Sequence, residues 1–284
     1  MKILITGAEG FTGQHFLAQS KLRGHSISIL QSNLNDVKGL EAEIQAINPR
    51  YVLHLAGISH VDFADVAELY KSNVLGTTNL LDALIKLDTP PTNIILASSA
   101  NVYGNSTAEP IREDALTFPS NHYAMSKLAM EYMARNYLDR LPISFSRPFN
   151  YIGKGQSDRF VVSKLVSHFV SRSKRIELGN LDVEREFNDV EFVCEAYFAL
   201  LEYAEPGEIY NICSGITFSL ESIINRLTKL TGHNIEVAIN PAFVRENEIK
   251  RLCGDPSKLQ SLSKAKAISL PKISIEETLK KMIN

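Results

Sequence analysis

Apolar residues fall in short unbroken runs, separated by longer stretches with helical spacing. Lys2 to Thr6 reads as a short buried strand, followed at once by Gly7-Ala8-Glu9-Gly10-Phe11-Thr12-Gly13 and a helical pattern through Leu17 and Leu22. Ser26 to Leu30 and Tyr51 to Leu55 read as the second and third strands, with an amphipathic helix over Lys38 to Ala46 between them. Val66, Leu69, Tyr70, Val74, Leu80, Leu81, Leu84 and Ile85 mark one long helix, and Asn93 to Ala97 is a fourth strand ending in Ser98-Ser99. A further helix runs to Tyr137, and a fifth strand spans Ile143 to Ser146. This alternation predicts an α/β fold, a doubly wound parallel sheet of Rossmann type whose ligands lie beyond the carboxyl ends of the strands. Gly7, Gly57, Ser99 and Arg147 fall at such ends and are expected to converge on one crevice.

From Asn150 onward the pattern loosens. Gly153, Gly155 and Asp158 make a loop, a helix follows over Phe160 to Val170, and a short strand lies near Ile176. A charged segment then ends in Arg185-Glu186-Phe187, followed by a helix over Asp189 to Tyr203 and a strand at Ile209 to Ile212. Beyond Gly215 the pattern gives a helix over Leu220 to Leu230, a strand over Ile235 to Ala238 and two short helices. The expected organisation is a dinucleotide-binding domain from residues 1–150 and 181–213, with a smaller C-terminal substrate-binding lobe from 151–180 and 214–284. There is no internal repeat and no low-complexity tract.

Composition narrows the class without naming it. Among 284 residues, 44% are hydrophobic and 22% charged, as in an ordinary globular protein. The net charge of -2 offers no basic field for nucleic acid or an anionic membrane, so any phosphate must be held by local groups. Cys194, Cys213 and Cys253 are far apart and lack metal-ligand spacing, which argues against a disulfide framework or metal site and for the cytoplasm. No apolar run approaches the roughly 20 residues of a membrane span.

Two stretches carry chemistry. A strand, a glycine-rich turn and a helix set bare amides and a helix N-terminus against a pyrophosphate. In Tyr123-Ala124-Met125-Ser126-Lys127, the phenol and the ammonium lie four residues apart on one helix face. A unit charge about 6 Å from the phenol, at an effective dielectric of about 20, is worth roughly 2.8 kcal/mol, or about two pKa units. The expectation is a phenol brought down toward neutral pH.

In this order, Thr6-Gly7-x-x-Gly10-Phe11-x-Gly13, His54-Leu55-Ala56-Gly57, Asn73-Val74-x-Gly76-Thr77-x-Asn79-Leu80, Ser98-Ser99-x-x-Val102-Tyr103-Gly104, Tyr123-x-x-x-Lys127, Arg147-Pro148-Phe149-Asn150 and Arg185-x-Phe187-x-Asp189-Val190 resemble the extended short-chain dehydrogenase/reductase family, in its nucleotide-sugar branch. The resemblance covers essentially the whole chain. Within the branch, Arg147 to Ser157, Phe160 to Ser163, Glu205 to Gly215 and Arg245-x-x-Glu248 with Gly254-Asp255 are similar to reductases of the GDP-4-keto-6-deoxy-D-mannose type. Enzymes acting on dTDP-linked 4-keto sugars share much of the pattern. Three readings follow: an NADPH- or NADH-dependent 4-ketoreductase of a nucleotide-linked 6-deoxyhexose, a nucleotide-sugar 4-epimerase, and a non-enzymatic dinucleotide sensor.

The resemblance implies roles residue by residue. Tyr123 is the proton donor, Ser99 polarises the carbonyl, and Lys127 binds the nicotinamide ribose and tunes the phenol. Gly7, Gly10, Phe11 and Gly13 meet the pyrophosphate, Ala56 and Gly57 flank the nicotinamide half, Asn33 and Leu34 stand near the adenine, and Pro148 completes the cofactor set. The substrate set is Ser59, His60, Asn101, Asn150, Val161, Lys164, Arg185, Arg245 and Glu248, with the arginines on phosphate and Val161 and Lys164 toward the base. His60 is read as structural and not as a catalyst. Dehydratases of the branch carry an Asp-Glu pair directly after the serine; Ala100-Asn101 stands there instead, which disfavours water elimination. The helices from Val66 to Leu87 and from Tyr123 to Tyr137 imply a homodimer.

Overall fold

The computed structural model describes residues 1–59, 65–244 and 249–284, and its sheet is built outward from β1 (Lys2–Thr6). This strand pairs in parallel with β2 (Ser26–Ile29) on one side and β3 (Tyr51–His54) on the other. Beyond β3 lie β4 (Asn93–Ala97), β5 (Ile143–Pro148) and, at the edge, β10 (Ile209–Ile212), giving the order β10-β5-β4-β3-β1-β2 with every pair parallel.

Successive side chains of a strand face opposite ways. Ile3, Ile5, Leu53 and Ile95 pack beneath α1 (Phe11–Leu22) and α7 (Val190–Tyr203). Leu4, Val52, Ile94 and Leu96 pack beneath α2 (Val37–Ile47), α4 (Gly76–Ile85) and α5 (His122–Ala134). Helices on both faces are why these strands read as continuous apolar runs. Truncating a residue as enclosed as Leu4 to Ala costs about 2–5 kcal/mol.

The stretch predicted as one long helix is continuous but not uniform: α3 (Val66–Tyr70) passes into a π-helical stretch at Lys71–Leu75 before α4. The widened turn carries Asn73, whose side chain is buried.

After β5 the chain builds smaller units. β6 (Tyr151–Ile152) pairs with β9 (Asn188–Asp189), and β7 (Arg175–Leu178) with β12 (Glu236–Ile239). Helices α6 (Val161–Val170), α8 (Leu220–Thr231) and α10 (Ile275–Ile283) share an apolar cluster with β7, while α9 (Ser257–Ala265) packs Leu259 against the first face of the main sheet. The charged segment ending in Arg185-Glu186-Phe187 contains β8 (Glu184–Glu186), the middle strand between β11 (Thr217–Ser219) and β13 (Arg251–Leu252). Its inward residue Glu186 is fully buried and accepts from Gly254 N and Ser214 N at 2.7 Å each and from Asn188 Nδ2 at 3.0 Å. Polar pairing replaces apolar alternation there, so no strand pattern shows in the sequence. No helix among the described residues is long and apolar enough to cross a membrane.

Candidate active site

Strand order reverses between β1 and β3, and the turns leaving those two strands touch. Gly7 has φ 71°, and a Cβ built there would sit 2.6 Å from Ala56 N. A Cβ on Gly13 would meet Gly7 O at 2.4 Å, so α1 reaches its seat on β1 only with glycine at that position. Gly10 caps α1 with no side-chain acceptor of its own, so the first amides of a twelve-residue helix are not taken by a cap. Ser98 Oγ, buried just past the carboxyl end of β4, has no partner among the described residues. These features fit a dinucleotide with its pyrophosphate on the N-terminus of α1.

Ser99 follows β4, and Tyr123 and Lys127 share one face of α5, which Asn121 starts by accepting from Ala124 N at 2.8 Å. Ser99, Tyr123 and Lys127 are buried, and the Ser99 hydroxyl faces the Tyr123 phenol closely enough to act on its pKa. Asn101 joins them, donating from Nδ2 to Ser99 Oγ at 3.1 Å. Lys127 Nζ donates to Ala97 O at 2.8 Å and lies 3.4 Å from where a Cβ on Gly57 would stand. Burial raises the Tyr123 phenol above its ordinary value, partly offset by the Ser99 hydroxyl. Burial also lowers Lys127 to about 8, against the pull of Glu131. The expected drop of the phenol toward neutral pH is therefore corrected: in a site this dry, desolvation raises the phenol, and it is Ser99, not the Lys127 ammonium, that opposes the rise.

A polar network beneath the site was not read from the sequence. Asn73 donates from Nδ2 to Ser126 Oγ at 2.9 Å and to Ile58 O at 3.1 Å, and its Oδ1 accepts from Ile58 N at 2.8 Å. Ser126 in turn donates to Tyr123 O at 2.8 Å. His54 lies between Thr6 Oγ1 at 2.7 Å and Thr77 Oγ1 at 2.9 Å, and burial, followed by the charge of Lys127, lowers it to about 3. It is a neutral hydrogen-bonding strut. The one signal for Asn73 was its place in a family-like motif, because helical periodicity does not reveal a π-helical stretch.

The other candidates separate into groups. Asn33 and Leu34 lie in the turn after β2, where Leu34 O accepts from Asn79 Nδ2 at 2.8 Å. Phe11 stacks on Tyr151, whose hydroxyl lies 2.8 Å from Thr12 Oγ1, and Pro148 ends β5. Ser59 and Asn150 are exposed. Val161 opens α6 and packs on the apolar cluster that α6 shares with α8, α10 and β7. Lys164 Nζ donates to Glu177 O at 2.9 Å and sits 4.9 Å from the Phe243 ring centre. Arg185 is buried and donates to Glu184 O at 3.0 Å and Lys250 O at 3.3 Å. His60, Arg245 and Glu248 lie outside the described residues. Arg147 does not open on the crevice as expected. Its guanidinium turns inward to Glu131, because a buried cation at the end of β5 needs a paired carboxylate.

Residues 17–282 match the family described as GDP-mannose 4,6 dehydratase. The chain belongs to this family of extended short-chain dehydrogenases/reductases. It is 34% identical over 264 residues to the GDP-6-deoxy-D-talose 4-dehydrogenase of Aggregatibacter actinomycetemcomitans, covering 91% of this chain and 90% of that one. It is 32% identical over 298 residues to the GDP-6-deoxy-D-mannose reductase of Pseudomonas aeruginosa, covering 100% and 96%. Among solved structures, a candidate epimerase from Burkholderia cenocepacia J2315 superposes with a TM-score of 0.92 at 40% identity, over 99% of this chain and 96% of that one. RMD from Pseudomonas aeruginosa, complexed with NADPH, superposes with a TM-score of 0.90 at 31% identity, over 100% and 98%. Within this family the chain carries Ala100-Asn101 after its serine, in keeping with the expectation that it lacks the Asp-Glu pair of the branch's dehydratases.

Proposed function

We propose that this protein reduces the C4 ketone of a GDP-linked 4-keto-6-deoxyhexose, with NADPH or NADH as reductant. One observation carries the reading: Ser99, Tyr123 and Lys127 are buried together past the carboxyl end of β4, with no acid at residues 100 and 101. The dinucleotide supplies the hydride. Ser99 and Tyr123 aim two hydroxyl donors at the carbonyl oxygen, and that oxygen takes the phenolic proton as its charge develops. A phenol kept protonated by burial is suited to giving a proton only when an alkoxide forms beside it. Lys127 holds the nicotinamide ribose, and its ammonium stabilises the phenolate left behind. Water elimination would need a second acid-base pair, and Ala100 and Asn101 cannot supply one.

The substrate sits against the units formed by residues 151–180 and 214–284, with Arg185 on the diphosphate, Asn150, Asn101 and Ser59 toward the sugar, and Val161 and Lys164 toward the base. The protein pairs as a homodimer through α4 and α5, supported by exposed Leu75 in the π-helical stretch before α4 and exposed Met125 and Tyr132 on α5. It works in the cytoplasm, in keeping with three free, buried cysteines.

A nucleotide-sugar 4-epimerase remains the second reading, favoured by the Burkholderia likeness. The two differ in where the hydride ends. With a reduced cofactor deuterated at nicotinamide C4, the reductase leaves deuterium at C4 of the released GDP-6-deoxyhexose, as read by NMR. Product without deuterium at C4 excludes the reduction.

A further inference from the structure

In a doubly wound sheet, the turn after the second strand meets the 2′ position of the adenosine ribose, where an acid takes the free hydroxyl of NAD and an arginine the phosphate of NADP. Here that turn is Leu30-Gln31-Ser32-Asn33-Leu34-Asn35-Asp36, with neither group at the end of β2 and no lysine or arginine as far as Val37. The structure supplies an acid from another element. Glu43, inside α2, turns its carboxylate back onto the turn: Oε1 accepts from Gln31 N at 2.8 Å and Oε2 from Ser32 N at 2.7 Å. Burial pushes this carboxyl up, but hydrogen bonds from Ser32 and Gln31 outweigh it and hold the group below its usual range. It is a carboxylate at any working pH.

Two successive backbone amides at a strand end form a small concave donor pair of the kind that seats anions. An incoming 2′-phosphate would look for such donors, and they are already filled by an internal negative charge. The next acid along the chain, Asp36, adds to the same sign while capping α2 through Gly39 N at 3.2 Å. A free ribose hydroxyl, in contrast, can donate to a carboxylate held in place.

We infer that Glu43 makes this enzyme selective for NADH: its carboxylate, seated on the Gln31 and Ser32 amides, excludes a 2′-phosphate and accepts from the ribose hydroxyl. The inference rests on the dinucleotide reading of the crevice but not on the identity of the sugar.

The test is equilibrium titration of the purified protein with NADH and with NADPH, followed by nicotinamide fluorescence, with no sugar present. NADH is expected to bind tighter by about tenfold or more, since like charges brought together at an interface cost several kcal/mol. Glu43→Gln should raise NADPH affinity by about tenfold and lower NADH affinity by about threefold or more, because the ribose hydroxyl loses its charged acceptor. If Glu43→Gln does not fold, Ser32→Arg, which sets a cation in the same turn, should give the same gain for NADPH. Equal or tighter NADPH binding by the unaltered protein, or variants that shift both nucleotides alike, would overturn the role of Glu43 and leave the dinucleotide site standing. Failure to bind either nucleotide would remove the site and the inference together.

Discussion

Arg147 and Glu131 form a buried two-pronged ion pair beneath α5, with Nε and Nη2 donating to the two carboxylate oxygens at 2.9 and 2.6 Å. Both side chains are almost fully enclosed, and the guanidinium also lies 4.7 Å from the Tyr103 ring centre. Glu131 stands one helical turn after Lys127, so the same pair joins the core to the candidate site. Replacing one partner leaves the other charged and buried. Arg147→Met should lower stability by about 3–5 kcal/mol in urea unfolding, and adding Glu131→Leu should recover most of it. A single variant within about 1 kcal/mol of the parent would show the pair to be incidental.

Lys127 should cost the fold stability. Burial lowers it from 10.5 to about 8, with Glu131 opposing. Below about pH 8 the folded protein holds an ammonium that the unfolded chain hydrates freely, a cost of roughly 3 kcal/mol. Between pH 8 and 10.5 the unfolded chain binds more protons than the folded one, so this cost shrinks as pH rises. Lys127→Met loses one hydrogen bond to Ala97 O, worth about 1 kcal/mol, and should still be the more stable protein near pH 7. Its advantage should narrow toward pH 10 while activity stays lost. Urea titrations of both proteins at the two pH values check this; a variant less stable at neutral pH would contradict it.

Gly7 and Gly24 separate strain from contact. Both have positive φ, 71° and 68°, but a Cβ on Gly24 meets nothing within 4 Å, whereas one on Gly7 strikes the backbone at Ala56. Gly24→Ala should cost about 1–2 kcal/mol and leave nucleotide binding intact. Gly7→Ala should part the turns after β1 and β3, with a loss of NADH affinity on the order of tenfold or more in fluorescence titration. Equal effects would mean that the two turns do not together form the cofactor seat.

Tyr123→Phe removes one hydroxyl and leaves the ring packed. Turnover should fall by a factor on the order of 10² or more, with the melting temperature and NADH affinity little changed. An unchanged rate would take Tyr123 out of the chemistry.

Much of this was legible from residue order. The main sheet could be read because parallel strands covered on both faces carry unbroken apolar runs, and α2 and α6 could be read from their stripes. Tyr123 and Lys127 could be paired from helix spacing, and Ser99 joined them through the family resemblance. β8 was hidden because Arg185 and Glu186 are buried through polar partners. Asn73 was hidden because a π-helical stretch leaves no mark in apolar spacing, and the inward turn of Arg147 because its partner, Glu131, reads as a surface charge on a helix. The direction of the Tyr123 shift depends on how dry the site is, which spacing alone does not give.

The most direct measurement mixes the purified protein with a reduced nicotinamide nucleotide and GDP-4-keto-6-deoxymannose and follows reduced-cofactor absorbance against product. One equivalent of cofactor oxidised for each GDP-6-deoxyhexose formed is the expected result. No loss of reduced cofactor with either NADH or NADPH would contradict a carbonyl reduction at this site.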